Sequence, residues 1–322
     1  MTTLVFTHPS SLRHETPPGH PERVDRIKAV NAVLSTPHFR DCLFREAPRG
    51  TEEQVLLAHT REHWRRIVST SPESGFEYVD PDTVMSPHSL KAALHAVGAA
   101  TAAVDAVFRG EADNAFCALR PPGHHAEHNK AMGFCLFNQV AIAGLYARQR
   151  HDVERIAVVD FDVHHGNGTQ DIFYADANLF YGSTHQMPLY PGTGSRDETG
   201  VGNIFNAPLR AGDGSIEFRE AMNTVILPAL DSFGPDLVLI SAGFDAHVRD
   251  PLGSLELAEE DFAWATLRLM ELADTHARGR VVSVLEGGYD LQGLAGSVGV
   301  HLHALLRGEM LDGDIEDEDE ES

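Results

Sequence analysis

The sequence predicts an α/β fold: a single domain built on an open, mostly parallel β-sheet with helices on both faces. Three observations predict it. Short apolar runs alternate with longer amphipathic stretches, the apolar runs show little polar alternation, and no Pro/Gly/Ser-rich linker interrupts the rhythm. Strand, helix, strand in repetition marks a parallel sheet covered by helices. Strands buried on both faces read as continuous apolar runs. A length of 322 residues suits two domains or one large one. The unbroken composition favours one, over residues 1–310.

The elements follow in order. Leu4–Thr7 is the first strand, and Glu22–Leu34 reads as a helix. Ser86–Phe108 carries Ala, Leu and Val at three- and four-residue spacing and stops at Gly110, a helix with a glycine end. Ala115–Leu119 is a strand and Asn138–Gln149 a helix. Ile156–Phe161 and Asn178–Gly182 are strands, and Ser215–Ser232 is a helix. Leu237–Ser241 and Val281–Leu285 are strands, with the helices Ala258–Ala277 and Leu291–Leu306 after them. Residues 311–322 read as an acidic disordered tail, since eight acids and no base fall between 312 and 322.

Composition narrows the function. Lys plus Arg is 25 against 48 Asp plus Glu, a formal net charge of −23. That surface argues against nucleic-acid binding and suits cationic substrates. The chain is acidic even without its tail. Three cysteines with no C-x-x-C spacing exclude a disulfide framework and point to a reducing compartment. No apolar run reaches membrane-spanning length, and the N-terminus lacks the features of a secretory signal. The expectation is a cytoplasmic protein with no membrane partner.

Chemistry-bearing residues gather behind four of the strands. Asp160-Phe161-Asp162-Val163-His164-His165-Gly166-Asn167 follows Ile156–Val159. Residues two apart on an extended chain share a side, so Asp160, Asp162 and His164 line one side as the strand ends. Carboxylate and imidazole together suit a borderline divalent ion such as zinc. Taken alone, an Asp-x-His reads better as a helix-capping Asp160 and a satisfied loop His164. Arg120-Pro121-Pro122-Gly123-His124-His125 follows Ala115–Leu119, and constrained adjacent histidines suit general acid–base work. Ser241-Ala242-Gly243-Phe244-Asp245-Ala246-His247 places Asp245 behind a third strand. Glu286-Gly287-Gly288-Tyr289 aims a phenol from behind a fourth, where it could donate to a developing oxyanion. Each piece alone has an ordinary structural reading. Together they sit where open parallel sheets bind ligands, at strand carboxyl ends.

This set of motifs resembles the zinc-dependent histone deacetylase family, with its arginase/deacetylase-like fold. PPGHH, DFDVHHGNGTQ, SAGFDAH and LEGGY match in family order. So do His20-Pro21-Glu22-Arg23, Gly133-Phe134-Cys135 and Tyr190-Pro191-Gly192-Thr193-Gly194. The matches run from about His14 to Tyr289 and look most like the class II branch and its bacterial amidohydrolase relatives.

The resemblance implies a role for each position. Asp162, His164 and Asp245 match the zinc ligands. His124 and His125 match the tandem histidines that share a metal-activated water, and Asp160 matches the carboxylate that orients His124. Tyr289 matches the tyrosine that polarises the scissile carbonyl. Phe134 and Tyr190 match the aromatic tunnel walls, Gly133 the backbone that accepts from the substrate amide, and Arg26 the internal arginine beyond the metal. Asp160, Asp162, His164, Ser183 and Thr184 match a structural potassium site. Phe173, Asp176 and Leu179 would serve a second. Asn167 stands where class I relatives have an Asp paired with the second histidine. Losing that carboxylate favours a neutral His125 as general base.

The implied substrate is an acetylated lysine peptide or protein, with an acetylated polyamine as the alternative. Leu252 occupies the place where one polyamine-selective branch carries Glu, which disfavours the alternative by that route. Asp80 or Asp82 remain candidate rim acids. Gly166 and His247 stand where the two-manganese arginase branch has further carboxylates, so one metal is expected. A catalytically inert acyl-lysine reader is disfavoured by the complete His-His-Asp-His-Asp-Tyr set. Relatives form dimers and tetramers, which leaves a homo-oligomer open. His185 and His247 suit either rim or packing positions.

Overall fold

A computed structural model describes residues 1–311; the acidic tail from 312 lies outside the described residues. In chain order the strands are β1 (Thr3–Thr7), β2 (Leu43–Glu46), β3 (Glu77–Asp80), β4 (Thr83–Met85), β5 (Asn114–Cys117), β6 (Ile156–Asp160), β7 (Leu179–Gln186), β8 (Ile204–Leu209), β9 (Leu237–Ala242) and β10 (Val281–Leu285). The helices are α1 (Val24–Leu34), α2 (Glu52–Val55), α3 (Arg61–Thr70), α4 (Ser89–Phe108), α5 (Gln139–His151), α6 (Asn167–Phe173), α7 (Ser215–Ala221), α8 (Leu227–Phe233), α9 (Glu259–His276) and α10 (Leu291–Arg307).

Eight strands form one sheet in the order β2-β1-β5-β10-β9-β6-β7-β8. Every neighbouring pair in it is parallel. β3 and β4 make a separate antiparallel hairpin. The sheet explains the unalternating apolar runs. In β9, Leu237 and Leu239 enter one core while Val238 and Ile240 enter the other, and β6 divides Ile156 and Val158 from Ala157 and Val159 in the same way. One core lies under α4 and α5, the other under α1, α9 and α10. Both faces of a central strand are therefore apolar.

Two strands of the sheet lie outside the six that the sequence pattern predicts, and both are edges. β2 is exposed along its length, so its residues carry no burial pattern. β8 contains Pro208, which an edge strand tolerates because one side needs no ladder bonds. The single helix expected over Ser215–Ser232 is two, joined by a wider π-type turn at Met222–Ile226. Pro228, at the start of α8, has no N–H to continue an unbroken ladder, and a widened turn absorbs that loss. α4 is long and apolar enough to cross a membrane, yet 78% of its most apolar window is buried inside the protein. That is the setting of a core helix.

The order of strands positions the site. β5 and β6 are separated by β9 and β10, which the chain inserts last. The four central strands thus bring four sequence-distant loops to one rim, where the strand order switches.

Candidate active site

Asp162 and His164 leave the end of β6, and Asp245 leaves the end of β9. All three are buried, and one donor atom from each lies within 4.8 Å of the others. His164 Nδ1 is 3.2 Å from Asp162 Oδ1 and 3.1 Å from Asp245 Oδ2. Backbone N–H groups hold the carboxylates in place. Val163 donates to Asp245 Oδ1 at 2.8 Å, His164 to Asp162 Oδ1 at 2.9 Å, and Gly287 to Asp162 Oδ2 at 2.9 Å. Any side chain at Gly287 would collide with Asp245, so this close approach requires glycine.

The donor set of the cluster suits a cation. Burial favours a neutral His164, but hydrogen bonds and charge from Asp162 and Asp245 overcome it and raise the ring to about 10. Two buried carboxylates and an imidazole with converging donor atoms fit a divalent ion. Among the described residues this is the one cluster of its kind.

The tandem histidines stand beside it and differ in environment. His124 Nδ1 is 2.9 Å from Asp160 Oδ2, which also accepts from the Tyr181 hydroxyl at 3.1 Å. Burial opposes its charge, but Asp162 and Asp160 hold the ring well above the usual imidazole range. His125 Nδ1 is 2.8 Å from Asn167 Oδ1. Burial, then the neighbouring His124 and His164, push His125 well below that range. Paired titratable groups pushed apart are the pattern of an acid–base pair.

A cavity of about 230 Å³ leads to these groups, lined by Asp82, Phe134, Leu189, Tyr190, Leu252 and Tyr289 among others. Gly133, His125 and His164 complete its wall. Gly133 and Phe134 both have left-handed backbone, φ +57° and +69°. For phenylalanine this conformation costs on the order of 1–3 kcal/mol. The hairpin loop sustains it: Asp82 Oδ1 accepts from Gly133 N–H at 2.9 Å and Thr83 Oγ1 accepts from Phe134 N–H at 3.0 Å. Asp82 thus lines the cavity, while Asp80 faces Lys130 at 3.8 Å.

Tyr289 reaches the cavity from behind β10. Its N–H donates to Asp250 Oδ2 at 2.6 Å, and the Arg26 guanidinium lies 4.7 Å from the centre of its ring. Burial pushes its phenol well above the ordinary value, so it remains a protonated donor. Arg26 itself lies off the cavity wall. It is fully buried and donates to the carbonyls of Gly288 and Glu286 at 2.5 and 2.6 Å, so it positions the loop that carries Tyr289. His185 and His247 are buried away from the cavity, where His185 bonds Ser183 and the Gly194 carbonyl.

Asp160, Asp162, His164, Ser183 and Thr184 are all buried where β6 ends beside the middle of β7, with Asp160 opposite Ser183 in register. The other expected ion cradle is already filled. The carbonyls of Phe173, Asp176 and Leu179 converge on Asn203 Nδ2 at 2.9, 3.0 and 2.6 Å. The partial positive charge of that amide stands where a second potassium would, so these residues do not fit the ion here. Asn203→Ala is expected to leave buried carbonyls unpaired and to destabilise the protein by about 1–3 kcal/mol, measured by urea unfolding.

Three positioning acids escaped sequence reasoning. Glu286 Oε2 accepts from Gly123 and His124 N–H at 2.6 and 3.2 Å, tying the loop after β5 to that after β10. Asp250 bonds the backbone of Tyr289, Asp290 and Leu252. Glu127 accepts from Asn167. Glu286 lies inside the matched LEGGY motif, which is the one signal that could have found it.

Comparison with known proteins places this geometry in a family. The histone deacetylase domain model matches residues 20–305, and the chain belongs to that family. A probable deacetylase of Archaeoglobus fulgidus is 39% identical over 300 residues, covering 91% of this chain and 83% of its own. A histone deacetylase-like amidohydrolase of Pseudomonas aeruginosa is 39% identical over 277 residues, 84% and 73% of the two chains. The crystal structure of the HDA15 HD domain superposes with a TM-score of 0.90 at 36% identity, covering 95% of this chain and 88% of that one. The chain is a deacetylase-family hydrolase with the family's α/β fold.

Proposed function

We propose that the chain is a zinc-dependent amidohydrolase that removes acetyl groups from the ε-amine of acyl-lysine and releases acetate. The observation that carries this reading is the narrow apolar cavity ending at His125, His164 and Tyr289. Phe134, Tyr190 and Leu252 would flank an unbranched aliphatic chain, which needs apolar walls and little else. Zinc held by Asp162, His164 and Asp245 would supply Lewis-acid polarisation of the acyl carbonyl and acidify water to a pKa of about 7.

The rest of the chemistry falls to side chains. His125, neutral and hydrogen-bonded through Nδ1 to Asn167, takes a proton from water as the amide carbon is attacked. His124, hydrogen-bonded through Nδ1 to Asp160, stabilises the developing negative charge. The Tyr289 hydroxyl donates to the oxyanion. The proton held between the histidines then passes to the leaving amine. A potassium ion near Asp160, Asp162, His164, Ser183 and Thr184 would brace the β6 loop.

Asp82 supports a second reading, an acetylpolyamine amidohydrolase, because it sets a carboxylate in the cavity wall where a cationic chain would pass. The two readings separate in kcat/KM of zinc-loaded protein on acetyl-lysine peptides against N-acetylated spermidine and putrescine. The expected result favours the peptides by more than about tenfold, about 1.4 kcal/mol in transition-state binding. The reverse preference would assign Asp82 the role of amine recognition and the function to polyamines. No acetate release from any acetyl-amide would overturn both.

A further inference from the structure

We propose that Glu127 sets which nitrogen of His125 carries the proton, acting through the carboxamide of Asn167. This rests on the amidohydrolase reading, in which His125 is the base. The Asn167 side chain bridges two groups. Its Oδ1 is 2.8 Å from His125 Nδ1, and its Nδ2 donates to Glu127 Oε1 at 2.7 Å. The same Nδ2 also lies 3.4 Å from Met132 Sδ. Both groups on that side are acceptors, and an ionised carboxylate can only accept. The amide therefore turns its NH₂ toward Glu127 and its oxygen toward His125. An oxygen facing Nδ1 requires a proton on Nδ1. A neutral imidazole has one N–H, so the lone pair stays on Nε2, free to act as the base.

Glu127 is well placed for this task. Its N–H donates to the Lys130 carbonyl at 2.9 Å and its own carbonyl pairs with His59 Nδ1 at 2.9 Å. His59 Nε2 in turn accepts from Asn138 N–H at 2.9 Å. The backbone of Glu127 is anchored on both sides, which brings its carboxylate within reach of Asn167 Nδ2. Of the two acceptors behind the carboxamide, the thioether is the weaker and more distant, so the carboxylate sets its orientation.

The test replaces the acceptor by a donor. Glu127→Lys reverses the amide, puts NH₂ against Nδ1 and moves the His125 proton to Nε2. The expected result is a loss in kcat of at least about 10²-fold, the low end for a general base, with KM within about twofold. Adding Asn167→Asp to that variant gives the introduced ammonium and the His125 Nδ1–H a common acceptor. The double variant is expected to regain at least about tenfold over Glu127→Lys. Isotope-edited NMR of the His125 nitrogens reads the tautomer without turnover: Nδ1–H in wild type and in the double variant, Nε2–H in Glu127→Lys. Glu127→Met, which has no charge to bury, guards against misfolding and is expected to lose about tenfold in kcat at unchanged Tm. Wild-type kcat in Glu127→Met, an unmoved tautomer in folded Glu127→Lys, or no rescue by Asn167→Asp would each overturn the proposal. An inactive wild type with the Nδ1–H tautomer would instead overturn the amidohydrolase reading.

Discussion

Replacing Tyr289 by Phe is expected to lower kcat by about 10²–10³-fold, the usual effect of deleting one oxyanion donor. The phenol is a protonated donor at any working pH, because burial holds it well above its ordinary value. Two contacts fix its position. The backbone N–H is bound by Asp250, and the ring rests over the Arg26 guanidinium. Phenylalanine keeps the ring, its contact with Arg26 and its edge against Phe134, whose centre is 5.9 Å away. The substitution removes the hydroxyl and little else, so KM and thermal stability should hold while kcat falls. Steady-state kinetics on an acetyl-lysine peptide read the effect directly. Turnover within about threefold of wild type would remove Tyr289 from the oxyanion-stabilising role.

The central sheet and the four site loops were legible because each motif directly follows an apolar run. Asp162, His164, Asp245 and Tyr289 need only a parallel sheet to bring their strand ends together. What escaped notice depends on contacts that the linear order hides. Asp250 and Glu286 act on backbone N–H groups of other loops, and a lone acid carries no mark of that task. Asn203 fills a cradle formed by three carbonyls 24 to 30 residues earlier in the chain. No side-chain pattern announces a ring of carbonyls. The resemblance sets Arg26 as the internal arginine beyond the metal, a match that leaves its partners unnamed. Its three N–H partners show that it serves the Tyr289 loop and Glu22. The missed strands have a simpler cause. β2 and β8 are edges, and edge residues escape the two-sided burial that makes central strands readable.

Glu22→Gln is expected to destabilise the protein by about 3–5 kcal/mol, the cost of removing one partner from a buried ion cluster. Glu22 is fully buried between two arginines and a histidine. Arg120 grips both its oxygens, Arg26 Nη1 lies 3.1 Å from Oε1, and His14 Nε2 lies 3.1 Å from Oε2. A neutral amide would leave two buried guanidinium groups short of countercharge. At about 2.1 cal/mol/K of unfolding entropy per residue, the loss should lower Tm by roughly 5–8 °C. The pH dependence has a defined sign. Burial alone would raise the Glu22 pKa, but Arg120 and then His14 hold it well below the usual carboxylate range. A carboxylate depressed on folding contributes stability above its unfolded pKa of about 4.3 and loses it as pH falls toward the folded value. The gap between wild type and Glu22→Gln should therefore be full near neutrality and shrink on acidification below about pH 4. The cluster also reaches the active site, because the same Arg26 that pairs with Glu22 underlies Tyr289. Residual folded Glu22→Gln should accordingly lose kcat as well as stability, and restoring Tm with an unrelated stabilising substitution should leave that kcat loss in place. Urea unfolding that shows a difference under about 1 kcal/mol at pH 7 would sink the cluster's structural role.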